Sequence, residues 1–436
     1  MVALSSSSRP PFWYNWLLAM LKPFYQIKIK KRFGHLDDVD DEIAQRFGEF
    51  STVKHQHTLW FHVVSVGETN AAQPLIEHYL RQGQTVLISN TTRTGQAQAK
   101  KLFAEKYADL VQMVYLPIDQ VSVMQKFLQH FQPKILLLME TELWPNLIYL
   151  CRQQNIPQIL LNARLSAKSA KGYGKFKRLT YPMLQQLNFI AAQDAATQQR
   201  YIELGMPEEN IAVLGNVKFD ITAPNHFLQQ AEKLREQWQL QNRKIIILAS
   251  THQAEEQEIV RALKQYLEQD AQALCIVVPR HPERFNDVYQ QLIDLSLVVH
   301  RRSLQQTIQT DTQIYLADSM GELWLWYALS DVAYVGGSLN ATGGGHNILE
   351  PIALNIATVV GEKYFNFQTI VDAFVENKGI IVVNDAEQAA DHLWQLLQHS
   401  SQAIQQKQRA NQILQANQGA VDKHIAVIDK YMSFYR

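Results

Sequence analysis

Cysteine is nearly absent. The two in 436 residues, Cys151 and Cys275, lie far apart and each sits in an apolar segment. That argues against a disulfide scaffold and leaves buried free thiols in a reducing compartment as the reading. An excess of charge of either sign is also missing. Lys plus Arg number 41 and Asp plus Glu number 41, so no global field argues for a nucleic-acid partner. Nor is there a long apolar run near the amino terminus. Pro11 to Leu21, PFWYNWLLAML, has an apolar core of about ten residues, too short to span a bilayer. No small-residue cleavage site follows it, which argues against a signal peptide.

What is present describes a globular chain, 47% hydrophobic and 19% charged, long enough for two domains with separate cores. Ahead of them, residues 1–45 read as an anchor segment. Its aromatic residues, with Lys22, Lys28, Lys30, Lys31 and Arg32, resemble an interfacial anchor on anionic lipid. The plainer reading is an amphipathic segment that covers a groove of the protein itself. The leader Ser5 to Ser8 is expected to be disordered. Asp37-Asp38-Val39-Asp40-Asp41-Glu42 contains an Asp-x-Asp, but it follows the anchor, not an apolar strand. It reads as a solvated acidic face, and no metal site is assigned.

From Thr58 the pattern alternates. Apolar runs at 59–64, 85–89, 111–116, 133–139, 158–162 and 189–192 read as strands, with helical periodicity between them. After a break near Asp220 to Asn225 the cycle restarts, with strands at 244–249, 273–278, 296–299, 314–316, 332–335, 358–360 and 379–383. A Gln-rich helical tail follows from about Asp385. Such alternation predicts α/β domains with parallel sheets and helices on both faces. The domains are expected at 46–220 and 221–405, with 406–436 a helix packing back towards the first. Ligands of such sheets lie beyond the carboxyl ends of strands, here expected in a cleft between the domains.

The most conspicuous of those ends is Gly336 to Pro351, GGSLNATGGGHNILEP, after the strand Val332 to Val335. Five glycines in ten residues let a ligand approach backbone N–H groups, and a helix expected from Asn347 to Asn355 adds unpaired donors. That combination suits a phosphate. Asn347-x-x-Glu350 is equally a capping pattern.

Other strand ends carry titratable groups. Ser65-x-x-Glu68 is a capping box, yet at a cleft Glu68 could accept a proton from an incoming hydroxyl. Ser319-Met320-Gly321-Glu322 repeats the pattern in the second domain. METELWPN, from Met139, places Glu140 and Glu142 after the most apolar strand, and Arg164 ends the next. Arg280 and His281, in PRHPER, can reach a phosphate, and Lys218, in GNVKFD, could enter the cleft.

Taken in order, His62-x-x-Ser65-Val66-Gly67-Glu68, METELWPN, NARLS, GNVKFD, PRHPER, DSMGEL and GGSLNATGGGHNILEP resemble the 3-deoxy-D-manno-octulosonic acid (Kdo) transferases. The likeness runs from about residue 20 to about residue 420. It implies the GT-B fold, two Rossmann-like domains with a cleft between them and an amino-terminal membrane-associated helix. It implies CMP-Kdo as donor, lipid IVA (the lipid A precursor) as acceptor, and inverting transfer without metal or cofactor at the cytoplasmic face of a bacterial inner membrane. By motif, Glu68 would be the catalytic base. Arg280, His281, Gly337, Ser338, His346, Asn347 and Glu350 would surround CMP-Kdo, with Met320 and Gly321 near the cytosine. A GT-B transferase with a UDP-sugar donor is the alternative.

Overall fold

The computed structural model describes residues 9–35, 38–51, 58–340 and 342–433. Ser5 to Ser8 and Asp37 lie outside them. The chain divides into two compact units, one of Met1–Asp220 with Gln418–Arg436, the other of Ile221–Asn417.

The first unit is built on seven parallel strands: β1 Leu59–His62, β2 Val86–Asn90, β3 Val111–Tyr115, β4 Ile135–Met139, β5 Gln158–Ala163, β6 Phe189–Ala192 and β7 Ile211–Val213. Their order is β3-β2-β1-β4-β5-β6-β7. β4, ILLLM, is buried at every position, as a strand covered on both faces must be. The chain turns outward in both directions from β1 and β4, so the crevice beyond their carboxyl ends is the switch point of the sheet.

The second unit repeats the plan with β8 Lys244–Thr251, β9 Ala273–Pro279, β10 Val299–Arg301, β11 Ile314–Leu316, β12 Val332–Val335, β13 Ala357–Gly361 and β14 Ile381–Val383. The order is β10-β11-β9-β8-β12-β13-β14, with the switch point between β8 and β12.

Several elements differ from the sequence reading. β7 was not expected, because three residues are too few for a periodic signal. The helix after the Gly-rich loop is only Leu349–Ala353. The helix that the Ser319-x-x-Glu322 pattern would open begins only at Leu323, since Gly321 has φ +87° and cannot be helical. The tail is three helices, Ala386–Gln398, Ser400–Asn417 and Ala420–Ser433. The last belongs to the first unit, where His424 Nε2 accepts the Asn162 N–H at 3.0 Å and the Asp220 carboxylate accepts the N–H groups of Gly419 and Val421.

In the acidic segment Asp38, Asp40 and Asp41 are exposed, as expected of a solvated face, but Glu42 is not. Glu42 is buried, with Oε1 2.8 Å from Arg46 and Oε2 2.5 Å from Arg93. Two guanidinium partners are what permit that carboxylate to leave water.

The amino-terminal helix, Phe12–Phe33, buries only Ile29 and exposes Phe12, Trp16, Phe24 and Ile27. Tyr14 donates to Asp119 Oδ2 at 2.8 Å. The buried Asp119 also accepts the N–H groups of Asn146 and Leu147, capping the helix Pro145–Gln153, which has no side-chain cap of its own. Among the described residues no helix is long and apolar enough to cross a membrane.

Candidate active site

In the first unit, the carboxyl ends of β1 and β4 gather a set of carboxylates. Ser65 is the N-cap of Val66–Arg81, and its Oγ accepts the Glu68 N–H at 3.4 Å. Glu68 Oε2 in turn accepts the Val64 N–H at 2.9 Å, and its Oε1 accepts from Ser65 Oγ at 3.2 Å. The capping role is therefore real, but it does not silence the carboxyl. Burial lifts the Glu68 carboxyl to about 7, with added repulsion from Glu140 and Glu142 and some relief from the Val64 and Ser65 bonds. A carboxyl poised near neutrality is suited to take a proton from an attacking hydroxyl.

Glu140 adopts φ +55° directly after β4 and is buried. Arg164 Nε lies 2.7 Å from its Oε2 and Lys218 Nζ 3.0 Å from its Oε1. Glu140 and Arg164, expected at strand ends, and Lys218, expected to enter from before the hinge, thus form one ion network, in which Glu140 holds both cations. Beside them an apolar groove of about 470 Å3 runs between Tyr14, Leu143, Trp144, Tyr173, Phe176 and Met183.

In the second unit, the carboxyl ends of β8 and β12 lie side by side. The Gly-rich loop does form an anion cradle, but a carboxylate of the protein fills part of it. Glu255 Oε2 accepts the N–H groups of Gly337 (2.7 Å) and His252 (2.8 Å). Its Oε1 accepts those of Ser338 and Leu339, both at 2.9 Å, and the Tyr334 hydroxyl at 3.1 Å. Gly336 permits this approach, because a Cβ there would stand 2.9 Å from Glu255 Oε2 and 2.7 Å from the Thr251 backbone. Ser338 is buried, its Oγ donating to the Val335 carbonyl and accepting the Gly361 N–H. Gly337 and Ser338 therefore shape the loop through N–H groups already engaged. On the other limb, the N–H groups of Gly344, His346, Asn347 and Ile348 find no acceptor among the described residues.

Around those free donors stand three imidazoles. His252 Nε2 and His346 Nε2 are 2.9 Å apart, so one ring donates and the other accepts. The His281 ring packs edge-on against His252 at 5.0 Å. Burial, then the neighbouring His252, Arg280 and His281, pushes His346 down to about 4. Burial lowers His252 as well. The Arg280 side chain is exposed and has no acid partner among the described residues, whereas His281 lies 3.5 Å from Glu283. Glu350, raised to about 7 by burial, accepts from Asn347 Nδ2 at 3.2 Å. A cavity of about 490 Å3 opens here, lined by His252, Gln253, His281, Arg284, Asn340 and Thr342.

Met320 is exposed and Gly321 has open space around it. Glu322 repeats the Glu68 arrangement only in part: Ser319 Oγ donates to its carboxylate, but the Arg302 guanidinium also holds it, at 2.8 and 3.2 Å. Glu255 and His252 were missed in the sequence. Their signal was the His252-x-x-Glu255 spacing directly after β8, which has the spacing of Ser65-x-x-Glu68 after β1. Among the described residues no group of three or more His, Cys, Asp or Glu side chains is placed to hold a metal ion.

The family model for 3-Deoxy-D-manno-octulosonic-acid transferase (kdotransferase) matches residues 41–221. The 3-deoxy-D-manno-octulosonic acid transferase of Haemophilus influenzae is 36% identical over 419 residues, 95% of this chain and 94% of that protein. A crystal structure of the C-terminal CMP-Kdo binding domain of WaaA from Acinetobacter baumannii is 53% identical, spanning 44% of this chain and 100% of that one, with a TM-score of 0.44. A glycosyltransferase from Rickettsia africae, 17% identical, covers 87% of this chain and 99% of its own with a TM-score of 0.55, and so shares the fold. Two seven-stranded parallel sheets of GT-B class, the seven ordered motifs and a relative matched almost end to end agree: the chain belongs to the 3-deoxy-D-manno-octulosonic acid transferase family.

Proposed function

We propose that this chain transfers Kdo from CMP-Kdo to lipid IVA in lipopolysaccharide synthesis, with inversion and without a metal. The unit ending at Asp220 takes the acceptor and the unit from Ile221 takes the donor. The observation that carries the reading is Glu68, held at the switch point of the first sheet with its carboxyl near 7. In the reaction an acceptor hydroxyl oxygen bonds to the anomeric carbon as the bond to the CMP phosphate oxygen breaks. The hydroxyl proton passes to Glu68, and the leaving phosphate goes from about −1 to about −2 charge. The N–H groups of Gly344, His346, Asn347 and Ile348, without an acceptor among the described residues, are with Arg280 and His346 the donors suited to that developing charge. Mass spectrometry of lipid IVA after incubation with CMP-Kdo tests the reading, and an unchanged acceptor mass would refute it. Calorimetric titration with CMP against UDP separates it from transfer of a UDP-sugar.

Two expected results follow from the site. The transfer rate should rise with pH through about 7, because only the ionised Glu68 accepts a proton and its value in the folded chain is about 7. A pH–kcat profile flat between 6 and 8 would remove Glu68 from that role. Arg280→Ala should weaken CMP binding by roughly tenfold to a hundredfold, since an exposed guanidinium with no acid partner is free to pair with phosphate. Calorimetry with CMP reads this, and equal affinities would count against it.

A lipid acceptor implies contact with a membrane, here the cytoplasmic face of the inner membrane. The exposed Phe12, Trp16, Phe24 and Ile27, with Lys28, Lys30, Lys31 and Arg32 on the same helix, support an interfacial docking. The groove between Tyr14, Trp144 and Phe176 offers apolar surface to an acyl chain. Binding to anionic vesicles should fall as salt rises, and deletion of residues 1–33 should abolish it; a truncated chain that still sediments with the vesicles contradicts this.

A further inference from the structure

The first unit carries a charge asymmetry that the steps above leave unused. Between Glu142 and Asp194 the sequence has no acidic residue. Within that stretch two short helices follow β5, Ala167–Lys175 and Lys177–Leu184. They bear Lys168, Lys171, Lys175, Lys177 and Arg178, all exposed, and none of these has an acid partner among the described residues. Lys168, Lys171 and Lys175 fall at i, i+3 and i+7, one stripe of the first helix. That helix buries none of its residues and contains Gly172 and Gly174. Like charges four apart and glycines both weaken a helix, so neither packing nor propensity accounts for it.

The stripe borders the apolar groove already described. Ser169, Gly172 and Tyr173, each one or two positions on from a lysine, line that groove together with Trp144 and Phe176. Tyr173 and Thr180 also line a second groove of about 580 Å3, with Lys177, Arg178, Tyr181, Ile202 and Leu204. Phe176 and Tyr181 are exposed, and the Trp13 ring of the amino-terminal helix stands 6.2 Å from that of Phe176. Apolar surface and cations are thus interleaved.

The helix pair springs from the strand ends beside Glu68. Arg164, two residues before the N-cap Ser166, pairs with Glu140 after β4, and Thr141 Oγ1 donates to the Arg164 carbonyl at 3.0 Å. The first groove includes Leu143 and Trp144, in the turn after β4, so it opens at the switch point of the sheet.

We propose that this helix pair reads the acceptor: the lysine stripe, with Lys177 and Arg178, holds phosphate on the acceptor's headgroup while the two grooves take acyl chains. The inference rests on the reading of a lipid acceptor and assigns that lipid a phosphate-bearing headgroup. Grooves walled by cations match a molecule that joins apolar chains to anions. A nucleic acid would leave the grooves empty. A bilayer surface also meets cations, but concave grooves that open beside the base fit a single lipid drawn out of it.

The test titrates lipid IVA in neutral detergent micelles, before and after phosphatase treatment. It compares the unaltered chain, the triple variant Lys171→Gln, Lys175→Gln, Lys177→Gln, and the same three positions changed to arginine. All three side chains are exposed and unpaired. The glutamine variant should bind lipid IVA about tenfold or more weakly, since each cation on an exposed phosphate contributes modestly. The arginine variant should keep the affinity, because the charge is retained. Phosphatase-treated lipid should bind the unaltered chain and the glutamine variant alike. Full affinity in the glutamine variant, or an equal loss on the treated lipid, overturns the proposal. Sedimentation of the glutamine variant with phosphatidylglycerol vesicles should change less than about twofold, because residues 1–33 are intact. A tenfold loss there would assign the helices to the bilayer surface and overturn the acceptor reading. Binding is measured without turnover, so a failure of the unaltered chain to transfer Kdo counts against the function reading alone.

Discussion

Glutamine at position 68 is expected to lower Kdo transfer by about a thousandfold while leaving CMP affinity unchanged. The amide keeps a carbonyl oxygen able to accept the Val64 N–H, so the start of the helix Val66–Arg81 remains tied off. It cannot accept the hydroxyl proton, so only the chemical step is touched. Single-turnover release of CMP with lipid IVA present, set beside calorimetry with CMP, separates the two quantities. A variant that turns over at near the normal rate would return Glu68 to a purely capping role. A variant that unfolds would show instead that the charge itself holds the turn.

The second large effect is expected at Glu255. Alanine there would strip four backbone N–H groups and the Tyr334 hydroxyl of their common acceptor, inside a buried part of the second unit. Each unpaired buried donor costs about 1–3 kcal/mol, although relaxation and water recover part of that. A net loss of about 3–5 kcal/mol is expected for Glu255→Ala, with CMP binding lost as the loop from Gly336 onwards loosens. Urea unfolding measures the first and calorimetry the second. A loss below about 1 kcal/mol would mean that the Ser338 staple between β12 and β13 holds the loop alone.

The contrast between these two glutamates marks how far sequence reasoning reaches. Both come after an apolar strand and close a three-residue step, Ser65-x-x-Glu68 and His252-x-x-Glu255, and both sit near a helix start. Glu68 was singled out because its local pattern, Ser65-x-x-Glu68, has a meaning at short range. Glu255 engages a loop about eighty residues later, and no periodicity in either segment announces the other. Glu140 and Arg164 were visible as charged residues at strand ends, and Lys218 as a cation before the hinge. That they form one network depends on the sheet order. The length of the helix after the Gly-rich loop was misjudged for a related reason. Asn347 uses its side chain on the Leu349 N–H, so the helix opens two residues later than the capping pattern suggests.

The amino-acid sequence by itself determined the alternation of apolar strands and amphipathic helices, the break near Asp220, and the short-range turn chemistry that caps a helix with Ser65 and Glu68. Those features rest on interactions within a few residues or on burial of one face, and both leave periodic traces. Only the tertiary structure decided which strand ends meet. It set Glu255 in the cradle of Gly337 to Leu339, two imidazoles nitrogen to nitrogen, and two cations on Glu140. Such contacts join residues far apart in the chain, and their energy comes from desolvating charges that must then find one another, a condition that no local pattern encodes.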